Sequence, residues 1–191
     1  MDEVFKFHFW QGFVYFLYIF FFFLGSFVSN FLIEIISRKD DHYTYAVPVS
    51  VECLVLFLIG FSGQYLIIQS PNAIAFSLLF AMGLQNSLVT TISSASVRTT
   101  HLTGLFTDLG IELSQLFFYK IKGQKEKLIS SIRLRLRIIY FFFTGGIVGG
   151  ILYSNIRLYT VIFAAVTLVL GLIYDNIKFK LILLRRKLKT N

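Results

Sequence analysis

"AMGLQNSLVTTISSASVRTTHLTGLFTDLG", residues 81–110, is the stretch on which the fold turns. It is apolar enough for lipid as far as Ile92, and a second helical pattern begins at Leu102. Between them lies "SSASVRTTH", rich in hydroxyl groups and carrying Arg98 and His101. A helix broken at membrane depth frees N–H and C=O groups that need partners. Serine, threonine and glycine make such a break tolerable, so the stretch reads as a polar interruption between two membrane helices. A plain aqueous loop joining two ordinary spans is the alternative that the residues leave open.

The flanking helices carry the candidate site. Counted as a helix, Thr100, Gly104, Asp108 and Glu112 recur every four residues and form one slowly drifting stripe. Leu102, Leu105, Phe106, Leu109, Leu113 and Leu116 fill the other side. The preceding helix offers Asn86, Thr90 and Ser93 at similar spacing, with Gln85 beside them. Two facing polar stripes would line a wet cavity. The free N–H groups of a helix start, with Arg98 close by, would suit an anion. The expected solute-binding residues are therefore Gln85, Asn86, Thr90, Arg98, Thr99, Thr100, Thr103, Gly104, Asp108 and Glu112. A carboxylate inside a span costs about 2.5–3.5 kcal/mol on insertion scales and usually marks function. Glu52, in another apolar run, is a third candidate, with a carboxylate near the end of a span as the alternative.

Composition places the whole chain in a bilayer. Of 191 residues, 56% are hydrophobic and only 15% charged, with 23 phenylalanines, and mean hydropathy is +0.73. A soluble core of this size cannot absorb that surplus, so lipid covers it. The formal charge of +8 does not indicate nucleic acid. Lys120, Lys122, Lys125, Lys127, Arg133, Arg135 and Arg137 form one basic cluster, and Lys178, Lys180, Arg185, Arg186, Lys187 and Lys189 form another. Both flank apolar runs, as the positive-inside bias requires.

The expected fold is an all-α integral membrane protein of about five to six transmembrane helices, one pair being polar-interrupted. A single membrane domain over 1–191 has spans at roughly 10–36, 43–68, 73–92, 102–119, 138–153 and 158–174. Ser70 and Pro71 suit the cap and first residue of the third helix. The basic segment 120–137 reads as a cytoplasmic loop, "SNIR" at 154–157 as an outside turn, and the C-terminus as cytoplasmic. Trp10, Tyr43, Tyr45, Tyr119, Tyr153 and Tyr159 fall near span ends as interfacial anchors. Gly145, Gly146, Gly149 and Gly150 form overlapping small-xxx-small pairs that permit close packing, within the chain or against a second copy.

Cys53 stands alone, and His8, His42 and His101 are scattered without ligand-like spacing, so neither a disulfide, a metal nor a cofactor is expected. No catalytic constellation appears, and the chain does not read as an enzyme.

Residues 81–110 resemble the YoaK-like family of bacterial membrane proteins, a domain of unknown function. Gly83, Leu84, Gln85 and Asn86, then Val97, Arg98, Thr99, Thr100, Thr103, Gly104, Leu109 and Gly110, carry the resemblance. Elsewhere it lies in hydropathy and span order, with "FFFLGSFVSNFLIEI" resembling the family's second span. It implies a multi-pass protein of the bacterial inner membrane, of transporter type. Members usually begin with a further polar-interrupted segment bearing a Thr-Gly-Asn motif, which this sequence lacks. That implies a shortened member or a start upstream of Met1. Two functions follow as expectations. One is a permease for an unidentified small solute. The other is a non-transporting scaffold or subunit of a larger membrane complex. The partners expected are lipid, a second copy or another membrane subunit, and no nucleic acid.

Overall fold

A computed structural model describes residues 9–38, 44–92, 102–119 and 122–189. Every element among them is helical: α1 (Phe9–Ser37), α2 (Ala46–Gln69), α3 (Pro71–Ile92), α4 (Leu102–Phe118), α5 (Lys122–Ile156), a 3-10 turn (Arg157–Tyr159) and α6 (Thr160–Lys189). Four helical runs are long and apolar enough to cross a membrane. They are Trp10–Ser37, Ala46–Gln69, Pro71–Ile92 and a continuous run over Gly123–Lys178. The last holds 56 residues, enough for two crossings of about 20 residues each. α4 has only 17 residues and does not reach that length.

Two sequence expectations change. The basic segment is not a loop, because α5 is helical from Lys122. Over 123–140, Leu128, Ser131, Ile132, Arg135, Ile138 and Ile139 are its less exposed positions, and they recur at helical spacing. A stripe of that kind stabilises a helix through the basic residues around it. The turn expected at 154–157 is also displaced. Helix continues through Ile156, and the break comes at Arg157, whose φ is 51°. Pro71 is the first residue of α3 as expected, and the Ser70 N–H donates to the Leu66 carbonyl at 2.7 Å, closing the end of α2.

The chain divides into two compact units, residues 1–88 with 156–191, and residues 89–155. In the first unit α1 and α3 run parallel. The Tyr18 hydroxyl donates to Asn72 Oδ1 at 2.9 Å, and Phe21 stacks on Phe76 with ring centroids 4.8 Å apart. Further along, the Ser26 hydroxyl donates to the Gly83 carbonyl at 3.1 Å. A Cβ on Gly25 would overlap the Phe80 carbonyl oxygen, and one on Gly83 would overlap that of Phe22. Two backbones meet here through glycine, the device by which membrane helices pack without a hydrophobic driving force. The opposite side of α1 exposes Phe13, Phe16, Phe20, Phe23, Phe27 and Phe31, a stripe suited to lipid.

α2 runs antiparallel to α3. Leu56 clusters with Ala81 and Ala165, and Ile59 with Ile74 and Leu158. α6 closes on α2 over glycine as well, since a Cβ on Gly60 would overlap Ile162 and one on Gly63 would lie 2.9 Å from a Leu158 methyl. The expected glycine face behaves otherwise: a Cβ on Gly145, Gly146, Gly149 or Gly150 meets nothing within 4 Å. A side chain there would be unopposed, whereas the close glycine contacts among the described residues are at Gly25, Gly60, Gly63 and Gly83.

Candidate functional site

Asp108 and Glu112 are one turn apart on α4, and the second unit brings both to a single cation. Arg135 of α5 donates through Nη1 to Asp108 Oδ2 at 2.9 Å and through Nε to Glu112 Oε2 at 3.0 Å. The Ser131 hydroxyl donates to the other Glu112 oxygen at 2.6 Å. The guanidinium fork suits two acceptors at once, and charge-assisted bonds of this length are the strong ones. Asp108 is 50% exposed, whereas Glu112 is 14% and Arg135 18%.

The helical stripe differs from the one read in the sequence. Leu105 and Leu109 are buried, Leu102, Glu112 and Leu116 are half-buried, and together they form one seam at spacings of three and four. Glu112 lies in this apolar seam, not on an opposing polar face. Thr103 and Gly104 are exposed and lie outside the ion network. The reason is charge: Arg135 and Ser131 occupy the inward stripe of α5 and make a carboxylate the best occupant of the facing seam. Beside them α4 and α5 form an open groove lined by Gln115, Tyr119, Gln124, Lys127, Leu128 and Ser131. Arg135 was visible in the sequence only as part of a basic cluster. Counting helical positions through that cluster, as from Leu128 to Ile139, would have placed it on the inward stripe of α5.

The other expected residues are distributed differently. Arg98, Thr99 and Thr100 lie outside the described residues, as does the whole interruption over 93–101. Gln85 and Asn86 belong to the first unit, and Thr90 to the last turn of α3 in the second. All three are half-buried.

A second polar position lies in the first unit. Glu52 is 5% exposed in α2, and its Oε2 has no hydrogen-bond partner. The Oε1 of Gln85 is likewise buried and unpartnered. Next to Glu52, the Cys53 thiol approaches the Ala165 carbonyl at 3.8 Å, fixing this turn of α2 against α6. Buried polar atoms are normally bonded, and each exception calls for an explanation. Glu52 and Glu112 thus answer the same problem, a carboxylate inside an apolar bundle, in opposite ways.

Comparison with known proteins gives one match. No curated protein and no solved structure matches the chain. Residues 3–174 match the family described as a protein of unknown function, DUF1275. That match covers nearly the whole sequence, and the chain belongs to the DUF1275 family.

Proposed function

We propose that this protein is a small-solute permease, a non-enzymatic multi-pass protein with one membrane domain of five to six crossings. One observation carries the reading: Glu52 is buried among apolar helices and its Oε2 has no partner. A carboxylate left this way costs stability, and within membrane domains such residues mark solute and ion pathways. The Asp108–Arg135–Glu112 network supports a different role for the second unit. Arg135 is already engaged by two carboxylates, so this arrangement favours a fixed helical hairpin over an anion site. Gln85, whose Oε1 is also buried and unpartnered, remains a solute-binding candidate. Asn86, Thr90, Arg98, Thr99, Thr100, Thr103 and Gly104 remain candidates on the sequence pattern alone.

The YoaK-like resemblance favours the bacterial inner membrane, and the two basic clusters favour a cytoplasmic C-terminus. Gln124→Cys and Thr190→Cys, in a Cys53→Ser background, should resist an impermeant thiol reagent in intact cells. Labelling from outside would reverse the topology. The permease itself is tested by uptake into proteoliposomes across a panel of small organic and inorganic ions. Uptake that needs the protein and is lost in Glu52→Gln is the expected result; a folded protein that moves none of them removes the reading.

A second reading has its own observation. The Gly145–Gly150 face of α5 has no described neighbour, and Ile147 and Val148 beside it are exposed. A non-transporting subunit would use such a face against another membrane helix.

A further inference from the structure

The first unit contains a place whose charge defines what it can accept. Leu56 and Ala81 share a cluster, and α2 and α3 run antiparallel. Glu52 lies one turn before Leu56, and Gln85 one turn after Ala81. Each step is about 6 Å along its axis, so the two residues lie within about one turn of the same level on facing helices. Both continue the residues that cluster between this pair: Glu52 extends Leu56 and Ile59, and Gln85 extends Ile74, Leu78 and Ala81. Each presents a buried oxygen that lacks a partner.

The surroundings offer nothing to neutralise the carboxylate. No lysine, arginine or histidine occurs within Phe9–Ser37, Ala46–Gln69, Pro71–Leu88 or Thr160–Tyr174. The sole other acidic residue in those segments is Glu34, exposed near the end of α1. Among the described residues no group of three or more acidic, histidine or cysteine side chains assembles, so a divalent ion would find too little charge and too few ligands. One carboxylate and one amide oxygen match a single positive charge.

We propose that Glu52 Oε2 and Gln85 Oε1 bind a small monovalent cationic group, an alkali metal ion or the ammonium of a small solute. The inference rests on the permease reading, because it names the class of ion or solute that the bundle accepts. A hard cation held by oxygen leaves no histidine or cysteine spacing in a sequence, which is why ligand patterns in the chain do not show it.

The test is thermal unfolding of the full chain in mild detergent. Sodium, potassium or methylammonium chloride is titrated at constant ionic strength against choline chloride. A ligand that binds only the folded state raises its unfolding temperature saturably. At least one of the three cations should do so for the wild type and none for Glu52→Gln. Gln85→Leu should shift the titration midpoint roughly tenfold, the equivalent of one modest hydrogen bond. A response to the metal ions alone or to methylammonium alone separates an inorganic ion from a solute ammonium. A flat wild-type titration, a response that survives in Glu52→Gln, or an unchanged midpoint in Gln85→Leu overturns the proposal. If Glu52→Gln does not fold, Gln85→Leu still decides. Cation binding without uptake by proteoliposomes would sink the permease reading and leave this site standing, whereas uptake with no cation response would do the reverse.

Discussion

Glu112 and Glu52 are each set in an apolar seam, yet Glu112 accepts bonds on both oxygens from Arg135 and Ser131 while Glu52 Oε2 accepts none. The difference separates structure from function. A carboxylate whose charge and lone pairs are satisfied inside its own unit fixes register, as a polar residue does in a coiled-coil seam. A carboxylate that the fold buries without satisfying keeps its binding capacity for something else. The stretch that looked most functional in the sequence is therefore, where it is described, the better-satisfied one.

The largest effect should come from the frame that holds Glu52. Gly83→Leu would drive a side chain into the Phe22 carbonyl. Backbone cannot yield as a side chain does, so the cost should exceed the roughly 1–3 kcal/mol of ordinary overpacking. Loss of monodisperse protein in detergent checks it. Normal yield and stability would mean that α1 and α3 do not meet through glycine, and the level of Gln85 would need redrawing.

Next comes Arg135→Ala, which strands Asp108 and Glu112 together. Breaking a fully buried pair costs about 3–5 kcal/mol and an exposed one at most about 1. Glu112 and Arg135 are mostly but not wholly covered, which places the loss at about 2–3 kcal/mol. Asp108→Asn, at a half-exposed carboxylate, should cost under about 1 kcal/mol. Reversible unfolding in mixed micelles orders the two. Equal losses would show that exposure does not divide the network as described. Smallest of all, Gly145→Leu with Gly149→Leu should leave the stability of the isolated chain unchanged, since nothing described lies within 4 Å of those positions. A large loss would reveal a contact on that face; unchanged stability with a changed oligomeric state would favour the subunit reading.

Much of this was legible from residues. Apolar runs, the gap between the spans at 10–36 and 43–68, and the start at Pro71 placed α1, α2 and α3 closely. What stayed hidden depends on partners distant in sequence. The four glycines of α5 look like a packing motif by repetition, but a small residue marks a contact only where another backbone arrives. Gly25 and Gly83 are single glycines 58 residues apart, and only their meeting shows their use. Likewise, the basic cluster read as a loop because charge suggests solvent. Leu128, Ile132 and Ile139 carried the helical period through it, and Arg135 sits on that period.

The most direct measurement sets the two glutamates side by side: the unfolding free energy of Glu52→Gln and of Glu112→Gln in the same detergent, without added cation. Glu112→Gln removes an acceptor from the Arg135 fork and should lose about 1–3 kcal/mol. Glu52→Gln replaces a buried carboxyl group whose Oε2 has no partner, and the variant should be neutral or more stable than the wild type. A loss at Glu52 equal to or larger than that at Glu112 would contradict the account, because Glu52 would then be held by the fold and not free for a ligand.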